Sequence, residues 1–151
     1  MTAAPPAPVS DAELLRRFEE ATNRPPGSET LGFRLVRVEQ ARLEVEAAFE
    51  GRREFCNPMG VIQGGFLTAM LDDAMSVAGL VASGMTHVMP TLEMKTSFLR
   101  PAPPGPLFAV GRVLKWGRTI AFTEGELFDG DRRLLAKASA TALPTPFKRP
   151  A

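Results

Sequence analysis

The 151-residue chain contains one cysteine and one histidine. A lone cysteine makes no internal disulfide, and the two together cannot fill a tetrahedral zinc site unless carboxylates supply most of the ligands. A disulfide scaffold and a zinc module are therefore excluded, and no residue pattern calls for a metal or another cofactor. Charge is in excess on neither side, since 18 Lys and Arg stand against 17 Asp and Glu. No overall field draws such a chain onto nucleic acid or an anionic membrane. An unbroken apolar run is missing too. The longest, from Phe66 to Met85, is interrupted by Asp72 and Asp73 and makes a poor membrane span. The first ten residues, MTAAPPAPVS, have neither a basic start nor an apolar stretch, so residues 1–10 read as a flexible tail rather than a secretory signal. The expectation is a cytoplasmic protein with neither nucleic acid nor membrane as partner.

What is present is enough apolar residue, 44% of the chain, for one domain with a core of its own. Ser10, followed by Asp11 and Glu13, supplies an N-cap and first-turn acidity, and Leu14, Leu15 and Phe18 at helical spacing predict a short amphipathic helix over 11–22. From Leu31 to Phe49 the pattern alternates, with Leu43, Val45, Ala47 and Phe49 on one face and Arg42, Glu44, Glu46 and Ala48 on the other. This predicts two strands broken near Gln40, with one face wet. A loop spans Gly51 to Gly65. It leads into GFLTAMLDDAMSVAGLVASG, apolar on almost every side, which predicts a buried helix over about 65–82. Strands follow near Thr91–Leu99, Leu107–Trp116, Ile120–Phe128 and Leu134–Leu143. The intervening PAPPGP, Gly117-Arg118 and Asp129-Gly130-Asp131 predict one Pro-rich and two tight turns, hence an antiparallel meander. The domain is expected to cover 11–143, and 144–151 to be a second flexible tail. The class is α+β, a sheet of about six strands around one central helix.

The chemistry concentrates between Cys56 and Asp73. Asn57 and Gln63 place amide side chains in a loop that runs through Gly64 and Gly65 into a helix N-terminus. Free N–H groups and the helix dipole there favour a developing negative charge. That is the chemistry of an oxyanion hole. Thr68, Asp72 and Ser76, at i, i+4 and i+8, form one polar stripe on an otherwise apolar helix, the mark of a lined pocket. Asp73 points about 100° away and reads as a carboxylate at an edge or paired with an arginine. Gln63 and Asp72 are roughly 13 Å apart along a helix, so either one of them is not catalytic or the site is completed by a second subunit. Two-fold dimers are the commonest way to do so. Cys56 with His87 carries no spacing signal for a thiol nucleophile and its base. Phe66, Met70, Met75 and Met89 read as core.

These residues resemble the hotdog-fold thioesterases, in particular the subgroup similar to the phenylacetic-acid-pathway (PaaI-like) thioesterase. That pattern is an Asn, a short loop, His-Gly-Gly opening the central helix, and an Asp nine residues after the His. Asn57, Gln63-Gly64-Gly65 and Asp72 match it, with Gln63 in place of the His. The stretches TLEMKTSFLRPAPPG, WGRTIAFTEGEL and LLAKASATA extend the likeness over about residues 30 to 143. The resemblance implies a hotdog fold, a dimer or a tetramer of two dimers, and hydrolysis of an acyl-CoA thioester. It implies Asp72 as the carboxylate that attacks the carbonyl or deprotonates a water, and the Gly64 N–H as oxyanion donor. Asn57 would orient water or carbonyl, and Thr91 would assist from the partner's side. An amide at Gln63 polarises a carbonyl but does not titrate, and a thiolate leaves with little protonation. Gly65, Thr68 and Ser76 would line the substrate, and Arg100, Lys115 and Arg118 would meet coenzyme A phosphates. Trp116 would stack on adenine or form a cross-strand pair. Two rival functions share the fold: a dehydratase or hydratase of acyl thioesters, which wants a His where Gln63 stands, and a non-catalytic acyl-CoA sensor.

Overall fold

The computed structural model describes residues 9–22 and 24–146. Ser10 caps helix α1 (Asp11–Glu20), its hydroxyl accepting from the Glu13 N–H at 3.2 Å. A second, five-residue helix, α2 (Pro26–Thr30), follows, with proline at its first position, where the missing N–H costs nothing. The sequence pattern did not reveal it, because five residues are too few to show a 3.6-residue period. Strands β1 (Arg34–Glu39) and β2 (Glu44–Gly51) pair antiparallel across a 3-10 turn at Gln40–Arg42, where the break was expected. Helix α3 (Gly64–Ala82) comes next, then β3 (His87–Val88), β4 (Thr91–Phe98), β5 (Gly105–Trp116), β6 (Ala121–Asp129), β7 (Leu134–Ala142) and β8 (Thr145–Pro146).

Six strands form one antiparallel sheet in the order β1-β2-β5-β6-β7-β4. The expected meander is therefore only partly formed. β5, β6 and β7 are joined by tight turns, but the Pro-rich segment between β4 and β5 is a crossover that carries the chain from the β7 edge to the side of β2. β4 is left as an open sheet edge. Prolines permit both outcomes, and which strand pairs with which is a non-local choice. Thr145 and Pro146 also pair with Val88 and His87, so the packed chain continues past residue 143; the rest of the expected C-terminal tail, and residues 1–8 of the N-terminal one, lie outside the described residues.

α3 lies across the sheet. By length and composition it could cross a membrane, but Leu67, Met70, Leu71, Ala74 and Met75 are buried against the strands, and it is the core helix of the domain. Large helix side chains meet a sheet face built of small ones, among them Ala109, Ala136, Ala138 and Ala140. Closest approach falls at Gly111 and Gly125, which are register partners on β5 and β6. A Cβ on Gly111 would stand 2.4 Å from the Ala74 carbonyl oxygen, whereas one on Gly125 would meet side chains alone, Leu71 at 3.0 Å and Met75 at 3.2 Å. Because backbone cannot yield as a side chain does, Gly111→Ala is expected to cost about 3 kcal/mol. It would be read as a lower urea midpoint at unchanged m value, and an unshifted midpoint would mean that the helix does not rest on this strand.

The outer face of β2 is not wet, contrary to its polar pattern. Glu44 is 3% exposed and Glu46 7%. Glu44 accepts from Arg37 of β1 at 2.9 Å and from Arg112 of β5 at 2.9 Å, and Glu46 accepts from Arg132. Burial pushes the Glu44 carboxyl up, but the hydrogen bonds from Arg37 and Arg112 outweigh it and hold the group below the usual carboxylate range. The arginines that cover these carboxylates come from up to 86 residues away, so alternation alone could not show it.

Candidate functional site

The loop before α3 is built by its own backbone. Asn57 donates its N–H to the Val61 carbonyl at 2.8 Å, and its Oδ1 accepts from the Met59 N–H at 2.9 Å. Gly60 closes the turn at φ +77°, a left-handed conformation that glycine takes without strain. The Asn57 side chain thus spends its oxygen on the turn, and its Nδ2 makes no hydrogen bond among the described residues. Gln63, exposed, is the N-cap residue, and its side chain caps nothing. Its backbone N–H is held by the Phe55 carbonyl at 2.9 Å, which fixes where the helix starts. Gly64 and Gly65 occupy the first two helical positions, where N–H groups have no intrahelical acceptor. Phe98 of β4 lies over Gly64: a Cβ there would touch its ring at 2.8 Å. Beside it opens an apolar cleft of about 600 Å³ walled by Met59, Val61, Leu67, Phe98 and Leu99, with Arg100 at its edge.

The polar stripe of α3 faces β4. Thr91 donates its hydroxyl to Asp72 Oδ1 at 2.6 Å, and Thr68 donates to the Thr96 hydroxyl at 3.2 Å. Ser76, half-buried one turn further on, makes no side-chain hydrogen bond among the described residues. Thr91 therefore belongs with Asp72 of its own chain, not with the subunit opposite that carboxylate; it and Thr96 could be matched to α3 only once β4 was known to run beside the helix. Asp72 and Gly64 stay apart by about 12 Å of helix. One chain brings together Asp72 and Thr91 at one end of β4, and Gly64, Asn57 and Gln63 at the other.

The basic residues do not make one patch. Arg100 donates to the Leu134 carbonyl at 2.7 Å near the Gly64 cleft. Lys115 and Arg118 lie at the opposite end of the sheet, where Trp116, Ala121, Ala142 and Thr91 stand in register across four strands. Trp116 packs edge-on to His87 at 5.8 Å, not to a cross-strand aromatic. Cys56 precedes α3 and His87 follows it, so the 19-residue helix separates them. Met70, Met75 and Met89 are buried as expected, and Phe66, half-buried, stacks on Phe55 at 4.3 Å.

Asp73 differs from its expectation. Its partner is no arginine but the Ser28 hydroxyl of α2, which donates to Oδ1 at 3.1 Å, while Oδ2 is buried without a partner among the described residues. Burial pushes its carboxyl up, Ser28 draws it down, and the neighbouring Asp72 charge adds a smaller push upward. A carboxyl raised in the folded state supports folding fully below the unfolded value of about 3.9 and loses that support as pH climbs through the folded value. Asp73→Asn is expected to keep the Ser28 bond and to gain stability over wild type between about pH 4 and neutrality. Thermal melts across that range measure it, and parallel pH curves for the two proteins would contradict it.

A single helix held in the curve of a six-strand antiparallel sheet, with glycines at its start and a carboxylate at mid-length, defines a hotdog-fold protein. Residues 59–136 match the family model described as Thioesterase superfamily. The chain belongs to that family, and it is a thioester hydrolase. It is 35% identical over 109 residues, 72% of its length and 75% of the relative's, to a protein of Saccharolobus solfataricus that carries the name of an esterase. Among solved structures it is similar to a phenylacetic-acid-degradation-related protein of Ralstonia eutropha JMP134 named for a thioesterase. That likeness has a TM-score of 0.79 and 32% identity, covering 85% of this chain and 98% of that one. The Escherichia coli PaaI protein, 16% identical, shares the fold at a TM-score of 0.76, covering 89% of this chain and 96% of that one.

Proposed function

We propose that the protein hydrolyses a small, medium-chain or aryl acyl-CoA to free acid and coenzyme A, at a site made by two protomers. The observation that carries this reading is the division of the candidate residues between the two ends of β4. β4 is an open edge with Leu92, Phe98 and Leu99 half exposed on or beside it. An open edge with apolar side chains is suited to pairing with a second copy. A two-fold axis through the middle of β4 sets the Thr91 end of one strand against the Phe98 end of its mate. Asp72 and Thr91 of one protomer then face Gly64, Gln63 and Asn57 of the other, and each dimer carries two sites. The same self-association leaves a tetramer of two dimers open.

At such a site Thr91 fixes the Asp72 carboxylate. Asp72 either adds to the thioester carbonyl, expelling the thiolate and leaving an anhydride for water to cleave, or takes a proton from the water that adds. The carbonyl oxygen becomes an oxyanion, which the Gly64 N–H meets at the positive end of α3. Gln63 and the free Asn57 Nδ2 donate hydrogen bonds to the carbonyl or the water. Gly65, Thr68 and Ser76 line the path, and Arg100, Lys115 and Arg118 offer cations to the coenzyme. With Gln63 unable to titrate, the dehydratase reading has no acid at that position. Thiol release from a panel of short, medium and aryl acyl-CoA esters tests the activity, and mass in solution tests the assembly. No release from any ester would turn the reading to a binding protein, and a strict monomer would sink the shared site.

A further inference from the structure

On the flank of α3 away from Asp72, a cavity of about 310 Å³ lies between α1, α2, α3 and β1. That volume falls within the roughly 300–1,000 Å³ usual for small-molecule sites. Its body is apolar, with Phe18 from α1, Phe33 and Leu35 at β1, and Val77 and Leu80 from α3. Asp73, one turn before Val77, is the acidic group of its inner wall. The remaining charges, Glu19, Arg24 and Arg34, are exposed at the rim and screened by water. Neither arginine forms an ion pair with Asp73, and the thioesterase reading has no use for this carboxylate. One Asp73 oxygen is held by Ser28 and the other is buried with no hydrogen bond among the described residues. A buried carboxylate oxygen left unpaired is costly, and a donor that reaches it recovers that cost. Asp73 is itself part of the cavity lining, and its terminal torsion is broad enough for the carboxyl to turn toward a donor bound there. A cationic donor gains most, because a charge-assisted bond is stronger than a neutral one.

We propose that this cavity is a second ligand site, which takes a primary alkyl- or arylalkyl-ammonium: the apolar body lies among Phe18, Phe33 and Leu80, and the ammonium donates to Asp73. The reading stands apart from the proposed thioester site, which lies on the β4 side of the helix.

Calorimetric titration of the full chain with 2-phenylethylamine and hexylamine, and with 2-phenylethanol as neutral counterpart, tests it. Saturable binding of an amine is expected, at least about tenfold tighter than the alcohol. Asp73→Asn should weaken the amine at least about tenfold and bring it level with the alcohol. Val77→Phe, which fills the cavity without touching the charge, should abolish both, with folding checked by circular dichroism. Asp72→Asn should leave amine binding as it is. Absence of saturable binding to the folded wild type, equal affinity for amine and alcohol, or full affinity in Asp73→Asn would each overturn the proposal. So would loss of binding in Asp72→Asn, since the amine would then be sitting at the thioester site.

Discussion

Asp72→Asn is expected to lower thioester hydrolysis by at least about a hundredfold, the lower range for a positioned acid or base. The substitution is nearly isosteric, and the new amide oxygen still accepts from the Thr91 hydroxyl that now holds Asp72 at 2.6 Å. Geometry is retained while negative charge and basicity are lost, so the change falls on kcat and leaves KM nearly as it was. Thr91→Ala makes the complementary change. It keeps the carboxylate and removes the bond that orients it, so a smaller loss of kcat is expected. Initial rates of thiol release on the best ester of the panel measure both. Undiminished release in Asp72→Asn would remove this residue from the chemistry, and a Thr91→Ala effect larger than that of Asp72→Asn would reverse their roles.

How far the site was legible follows from which of its relations are local in the chain. The glycines at α3's start, the Thr68, Asp72 and Ser76 stripe and the distance from Gln63 to Asp72 are all matters of helix period, and α3 was visible as a helix because it is apolar all round. That Thr91 bonds Asp72 within one chain was not visible, because the two meet only when the Pro-rich crossover sends β5 away and leaves β4 alongside α3. The strand order hid for the same reason: PAPPGP reads as a turn whether it joins neighbours or crosses the sheet. Asp73 was misplaced because its partner Ser28 sits on a helix of five residues, too short to leave a period. Glu44 and Glu46 looked wet because alternation reports which face a side chain takes and not what later covers it. Local rules therefore located the candidate loop and stripe, and tertiary pairings gave Thr91 to Asp72 and Ser28 to Asp73.

Gly64→Pro is expected to remove the other half of the site, lowering kcat by about a hundredfold or more, the effect of deleting an oxyanion donor. Proline is the one residue that takes away a backbone N–H, and at this position it does so without breaking the helix. Gly64 is the first residue of α3, where proline is favoured. Gln63 before it already has φ −64° and ψ 139°, the extended conformation that a following proline requires. The nearest atoms to a Cβ at this position all belong to the Phe98 ring, the far end of a side chain that is 52% exposed in the single chain. Gly64→Ala brings the same contact with Phe98 but keeps the N–H, so it should retain most of the rate, and equal losses in the two variants would assign the effect to crowding. The pair also tests where the halves of the site reside. If Asp72 of one protomer works with Gly64 of the other, refolding Asp72→Asn and Gly64→Pro chains together in equal amounts makes heterodimers in which one site carries both changes and the other carries neither. With half of the dimers mixed, about a quarter of wild-type activity should return from two inactive parents. No recovery from a mixture shown by mass to contain heterodimers would place both groups in one chain and end the shared-site reading.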